Sequence, residues 1–371
     1  MTNQTEINQL SGNPEIERPL NQSDLERLVG MRSTFSTVFP DKVKLDFTVA
    51  ICTYNGEHRL PGVLECLKWQ LNTEDIVWEV LVIDNNSTDG VAQVVKDFQQ
   101  KWPQKGQLRY GFELKQGAGY ARHKAVQLAR SPLIGFLDDD NLPSMIWVSA
   151  AYEFAQTHPA VGVYGSRIRG DFEINPPENF ERIAPLLALT ERGGTAHRYP
   201  PHKKVLPPGA GMVVRRQAWL DNVPENVLLS GRTGKSMLTG EDLEAVLHIQ
   251  GAGWEVWYNP GMRLYHSIPG KRLKREYLIS LCRGIGLSRH RTRMLSVAAW
   301  RRPIMTPLYM LNDIRKIFKH LIRYRQCVVT DVVTACEMTL YLSSLVSPFY
   351  LWQRQIRETF HRMTSRDQVW D

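Results

Sequence analysis

From Asp46 to Asp140 the chain alternates strand-length apolar runs with helix-length amphipathic ones, and this alternation constrains the fold more than any other feature. The apolar runs are Phe47–Cys52, Trp78–Ile83, Leu108–Glu113 and Leu133–Leu137. Helical stretches run from Leu60 to Gln70, up to about Lys101, and from Gly119 to Arg130. Strand, helix, strand at this spacing predicts βαβ units and a parallel sheet. Ligands of such sheets bind beyond the carboxyl ends of the strands. Three polar clusters fall there: Tyr54–Glu57, Asp84–Asp89 and Asp138–Asp140. Three acid-bearing loops are therefore expected along one rim.

After residue 160 the alternation loosens. Val161–Gly165 and Gly211–Arg215 read as strands, and residues 171–208 as Pro-rich loops over the rim. Glu241–Gln250 reads as a helix, and Trp254–Tyr258 and Arg263–His266 as strands. Residues 1–44 form a polar tail, 45–270 one α/β domain and 271–371 a basic helical extension. A chain of 371 residues that is 43% hydrophobic can bury a core of this size, and global disorder is excluded. The net charge of +8 is concentrated: from Lys271 to Arg325 fifteen Lys/Arg stand against Glu276 and Asp313. Within that tract apolar residues recur at 311, 314, 317, 318, 321 and 322, a basic amphipathic helix. It suits a phosphate-bearing partner (an anionic membrane surface, a lipid diphosphate or a charged glycan), the alternative being a solvated helical face.

Five cysteines, an odd number with no CxxC pair, point to a reducing compartment. The N-terminus has no basic start followed by an apolar run, so no signal peptide is expected. The uncharged run Met338–Trp352 spans 15 residues and contains Pro348. A crossing helix needs about 20, so no transmembrane segment is expected and a cytoplasmic position is.

Asp138, Asp139 and Asp140 are adjacent carboxylates that repel one another unless a cation is near. Mg²⁺ and Mn²⁺ favour such oxygens and commonly combine one or two carboxylates with substrate phosphates. The competing reading is a turn that starts a helix at Asp140–Pro143. Glu241 and Asp242 open a helix after Thr239 and Gly240, where carboxylates complement the helix dipole; the same residues can serve as a base. Pro207–Met212 is rich in turn residues, and its glycines let backbone approach a ligand closely. Leu228–Thr239, with Lys235, reads as a flap but lacks P-loop spacing. Trp254 and Trp257 either stack on a sugar or belong to the core.

The ordered segments Thr48–Gln70, Val80–Gly90, Gly119–Ala129, Ile134–Pro143, Thr239–Glu244 and Leu264–His266 resemble the motifs of family 2 glycosyltransferases. The resemblance runs from about Asp46 to His266. The stretch from Asp46 to Glu65 is similar to a cyanobacterial branch associated with hormogonium polysaccharide synthesis. It implies a GT-A fold, a Rossmann-like mixed sheet flanked by helices, and transfer of a sugar from a nucleotide diphosphate to an acceptor hydroxyl with inversion. Cys52, Thr53 and Tyr54 would lie beside the base with Glu57 nearby, and Asp84 and Asn85 would contact base and ribose. Where the family often has two acids, this chain has Asp84 and Asn85, so a UDP-sugar is favoured while thymine and guanine stay open.

The same resemblance puts Arg122 near the diphosphate, Asp138 and Asp139 toward ribose, and Asp140 with His266 on a Mn²⁺ or Mg²⁺ ion. Asp242 would be the catalytic base, Glu241 an orienting residue, and Gly211 would border the acceptor together with Trp254. The acceptor is expected to be a glycan or lipid-linked, with no nucleic acid as partner. A non-catalytic glycan- or nucleotide-sugar-binding protein on the same fold is the alternative. A nucleotidyltransferase is disfavoured because the first loop, Thr53–Glu57, is not a Gly-rich nucleotide loop.

Overall fold

The computed structural model describes residues 44–103, 107–201, 205–225, 229, 231 and 238–367. The tail expected over 1–44 and most of the flap expected over 228–239, Lys235 included, lie outside the described residues.

Four strands are parallel neighbours: β1 (Phe47–Thr53), β2 (Trp78–Asp84), β3 (Leu108–Phe112) and β4 (Leu133–Asp138). The helices α1 (Leu60–Lys68), α2 (Val91–Lys101) and α3 (Ala118–Leu128) connect them. β1 and β2 are buried along almost their whole length because both faces are covered, and this is why they read as continuous apolar runs. Phe47, Val49 and Ile51 meet α1, α2 and α4 (Trp147–Thr157) on one face. Ala50, Leu81 and Ile83 meet α3, α5 (Arg216–Asn222) and α6 (Glu241–Gly251) on the other.

Beyond β4 the sheet becomes mixed. β8 (Met212–Arg215) is antiparallel to β4 and to β6 (Val161–Phe172), and β6 is parallel to β9 (Glu255–Ile268). With β5 at Asn141–Pro143, the full order is β3-β2-β1-β4-β8-β6-β9-β5, and the two-residue β7 (His197–Arg198) is also on β9. The two strands expected at 254–258 and 263–266 are one. Asn259 pairs with Ser166 and Arg263 with Arg167, so Pro260, Gly261 and Met262 are carried as an irregularity in the β6–β9 ladder. β5 (Asn141–Pro143) replaces the helix start considered there: it pairs with β9, Asn141 opposite His266.

The extension is helical, as expected: α7 (Arg275–Leu295), α8 (Arg302–Tyr324) and α9 (Val332–Asp367), with single turns at Gly270–Leu273 and Cys327–Thr330. Leu278, Leu281, Val333, Cys336 and Leu340 form a third core with Phe180, Ile183 and Ile268. Arg291 of α7 pairs with the fully buried Glu244 of α6 at 2.7 Å, which ties the extension to the helix that begins with Glu241. Among the described residues one helix, within Val332–Arg357, is long and apolar enough to cross a membrane by length and composition. It continues through Pro348 and past Glu337, where the sequence count stopped; half of the window is buried within the protein.

Candidate active site

Strand register sets the rim. Cys52 pairs with Asp138 and Thr53 with Asp84, so the carboxyl ends of β1, β2 and β4 present their polar residues side by side. The loops above are held by their own polar side chains. Asp84 accepts from Ser87 N at 2.8 Å and from the Tyr110 hydroxyl at 2.7 Å. Asn85 donates to the carbonyls of Glu113 and Lys115 and accepts from Gly117 N at 2.7 Å. A carboxylate could not make the two donations, which gives a physical reason for Asn where the resembling family often has an acid. Glu57 accepts from Gly90 N at 2.6 Å, at the start of α2. A cleft opens between Thr53, Tyr54, Asn85, Gln116, Gly117, Ala118 and Asp138. Cys52 also lines it, and burial pushes its thiol up to about 12.

The three aspartates have different surroundings. Asp138 is the most open, its side chain 36% exposed. Both oxygens of Asp139 are engaged, by Thr53 Oγ1 at 2.6 Å and by Arg59 at 2.8 and 3.0 Å. Burial raises the Asp139 pKa although Arg59 opposes the shift. Asp140 is buried and its Oδ2 lies 2.8 Å from Arg272 Nη1 and 3.4 Å from His266 Nε2. The β5–β9 pairing brings these together: Asp140 immediately precedes β5, and its carbonyl accepts from Ser267 N at 2.9 Å.

The second acidic centre adjoins the first. Arg122 on α3, almost fully buried, reaches Asp138 at 3.3 Å and Glu241 at 2.9 Å. Burial raises the Glu241 pKa and the charge of Asp242 raises it further, with Arg122 acting against both. Asp242 accepts from Gly209 N at 2.6 Å and from Leu243 N at 2.8 Å. A Cβ at position 209 would stand 2.7 Å from Arg122 Nη2 and 3.0 Å from Asp242 Cβ, so only glycine fits between them. No side-chain cap from Thr239 is found; Gly240, at φ 112°, precedes the helix instead. Gly211 sits at φ 64° before β8, with its carbonyl accepting from Ser166. Trp254 does not join the site. Glu255 pairs with Val161, at the edge of the sheet opposite the strand ends that carry the acids, and Trp254 packs there against Gly162. Trp257 packs on Phe154 and His158, which is the core reading of both tryptophans.

The family model of glycosyl transferase family 2 matches residues 48–220, which contain the rim, Arg122 and the three aspartates. Residues 48–220 are thus similar to a family 2 glycosyl transferase domain. It is 29% identical over 143 residues to the uncharacterized glycosyltransferase YfnE of Bacillus subtilis (strain 168), a match covering 38% of this chain and 35% of that protein. It is 28% identical over 122 residues to chondroitin synthase of Escherichia coli, covering 32% and 17%. The matched region thus spans about a third or less of these relatives' length. Among solved structures, the mannosyltransferase PcManGT from Pyrobaculum calidifontis, in complex with GDP-Man and Mn²⁺, superposes with a TM-score of 0.50 at 17% identity, over 87% of this chain and 93% of that one. The architecture of the transferase domain is the GT-A fold, a mixed sheet flanked by helices and followed by C-terminal helices.

Among the described residues no three His, Cys, Asp or Glu side chains cluster as a cage. Asp140 and His266 supply two donors. The Leu187 carbonyl can only accept, so His266 Nδ1 donates to it at 2.9 Å; Arg272 can only donate, so Nε2 accepts at 3.1 Å. With Nδ1–H donated to a backbone carbonyl and Nε2 left as the acceptor, His266 has the arrangement of a metal-ligating histidine. Both donors therefore converge on a position suited to a cation, where a guanidinium group sits. They fit a hard ion that takes its remaining oxygens from a phosphate ligand.

Sequence reasoning missed Arg272, Arg59 and the segment Gln116–Ala118. Arg272 was counted only as part of a basic tract. Gln116–Ala118 carried a usable signal, since small residues just before a helix mark a close backbone approach.

Proposed function

We propose that the chain moves a sugar from a nucleotide diphosphate donor to an acceptor hydroxyl, with inversion, in polysaccharide or envelope glycan synthesis of the kind the resembling branch serves. The observation that carries this reading is the Arg122 bridge. One buried guanidinium joins Asp138, at the end of β4, to Glu241, beside Asp242, and so links a strand-end acid to the acids of α6.

In this reading the nucleotide enters between Tyr54, Asn85 and Gly117, a UDP-sugar being favoured. Asp138 faces the ribose side. Asp242 takes the proton from the acceptor hydroxyl as that oxygen attacks the anomeric carbon; the bond to the diphosphate breaks and its electron pair leaves with the diphosphate. The amides of Gly209 and Leu243 orient the Asp242 carboxylate by hydrogen bonds to its charged form. Glu241 and Arg122 hold α6 and the Gly209 loop in register. A Mn²⁺ or Mg²⁺ ion held by Asp140 and His266 would supply Lewis-acid stabilisation of the departing diphosphate. The free state of all five cysteines accords with a cytoplasmic position.

The test is a donor screen. UDP-, GDP- and dTDP-sugars are incubated with the protein and Mn²⁺ over a panel of glycan and lipid-linked acceptors, following nucleotide release and acceptor mass. One donor class should give acceptor-dependent release. Calorimetric binding of a nucleotide sugar with no release on any acceptor would instead favour the non-catalytic binding protein.

A further inference from the structure

On α8, and along part of α9 beside its buried Val333, Cys336 and Leu340, polar residues face the protein and apolar ones face out. On α8 the fully or nearly fully buried residues are polar: Asp313, held by both terminal nitrogens of Arg293 at 2.5 and 2.8 Å, and His320, bonded to the Thr334 carbonyl at 3.0 Å. On the opposite side Ile304, Leu308, Leu311, Phe318 and Ile322 recur at steps of three, four and seven residues and all face solvent, Phe318 at 62% and Ile322 at 73% exposure. α9 repeats the pattern. Ser343, Ser344 and Ser347 are buried against α7, where a Cβ at Gly286 would meet Ser343 at 2.5 Å. Leu342, Val346, Phe349 and Trp352 point outward. Small residues between helices and large apolar ones outside is the packing of helices whose surroundings are apolar.

Charge identifies those surroundings. Lys316, Lys319 and Arg323 form the row beside the α8 ridge, and Arg315 stands within it. The acids between residues 301 and 357 are Asp313, Asp331 and Glu337, and each is turned to a protein partner: Arg293, Thr334 and Arg182. A second copy of the chain would bring like-charged rows together, whereas an anionic bilayer neutralises them and accepts the apolar ridge. α9 packs along α7, which carries Arg283, Arg289, Arg291 and Arg293 and is joined to α6 through Glu244. It cannot cross a bilayer without taking those charges with it.

We propose that the exposed faces of α8 and α9 seat the protein in the interfacial layer of an anionic membrane, with the ridge among the acyl chains and the basic row at the headgroups. Tyr350 and Trp352 are the aromatic residues suited to that boundary.

The full chain is mixed with vesicles of phosphatidylcholine, with and without phosphatidylglycerol, at about 0.1 M and about 1 M salt. The wild type should sediment with anionic vesicles, more weakly at high salt. Phe318→Ser with Ile322→Ser should lower the partition coefficient at both salts by at least about tenfold, the equivalent of one buried large side chain. Lys319→Glu with Arg323→Glu should lower it at low salt alone. Both pairs are exposed, and unchanged thermal unfolding shows that each variant folds. Absence of vesicle binding by the wild type, or binding unaffected by the apolar pair, overturns the proposal. So does a dimer, measured by light scattering, that the apolar pair dissociates while vesicles bind neither form; the face is then a contact between copies.

Discussion

Arg272 holds the place that the account gives to a divalent ion, so its removal has two opposite effects. Its Nη1 donates to the buried Asp140 carboxylate at 2.8 Å and to His266 Nε2 at 3.1 Å. A hydrogen bond to a charged group contributes about 1.5–3 kcal/mol. Arg272→Ala should therefore lower stability in chelator by about that amount, because the buried Asp140 loses a charge-assisted hydrogen bond. A metal entering the wild type must displace this contact; entering the variant it need not. Mn²⁺ affinity without donor should tighten by about ten- to a hundredfold. At a Mn²⁺ concentration equal to the wild-type Kd, linkage then stabilises the wild type by about 0.4 kcal/mol and the variant by about 1.4–2.7 kcal/mol. Urea unfolding of both proteins in chelator and in Mn²⁺ measures the difference, and calorimetric titration measures affinity directly. Arg272→Lys keeps a cation and should behave like the wild type in chelator. Equal Mn²⁺ gains for wild type and Arg272→Ala would refute the reasoning, since the guanidinium would then not compete with the ion.

Two further outcomes follow from buried groups. Glu241 holds its proton more tightly in the folded state than in the unfolded one, because burial, then Asp242, raise its pKa. Its contribution is complete below the unfolded value of about 4.3 and is lost as pH rises through the higher folded value. The stability of the wild type minus that of Glu241→Gln should thus fall from pH 4 toward neutrality; a flat difference in urea unfolding contradicts this. Cys52 lines the cleft, but burial pushes its thiol up to about 12, whereas Cys327 is exposed. Iodoacetamide near pH 8 should label Cys327 and leave Cys52 almost untouched, read by peptide mass; rapid labelling of Cys52 refutes the burial argument.

The fold was legible where each strand is buried on both faces. Phe47–Thr53 and Trp78–Asp84 announce themselves as apolar runs, and the acids that follow mark their carboxyl ends, because burial forbids charge until the strand emerges. What escaped depends on pairing between distant segments. Asn141–Pro143 resembles a helix start locally and becomes a strand only because β9 runs beside it. Pro260 and Gly261 look like a turn and are carried across by an irregular ladder. Asp140 and His266 were expected together, but Arg272 between them is visible only once the β5–β9 pairing is known. Trp254 shows the reverse failure: an aromatic residue beside a strand suggested a sugar platform, yet nothing local says at which end of the sheet it falls. The inside-out pattern of α8 was half visible, since its apolar period was readable but not which side faced the protein.

In the proposed reaction Asp242 meets the acceptor beside a donor held at the strand-end acids. Asp242→Asn removes the proposed base while keeping its size and, with the amide rotated, one acceptor toward Gly209 N. Nucleotide-sugar affinity by calorimetry and transfer in a single turnover, measured on the same preparation, test it most directly. The predicted result is unchanged donor binding with transfer reduced by about 10²–10⁴; transfer at the wild-type rate would contradict it.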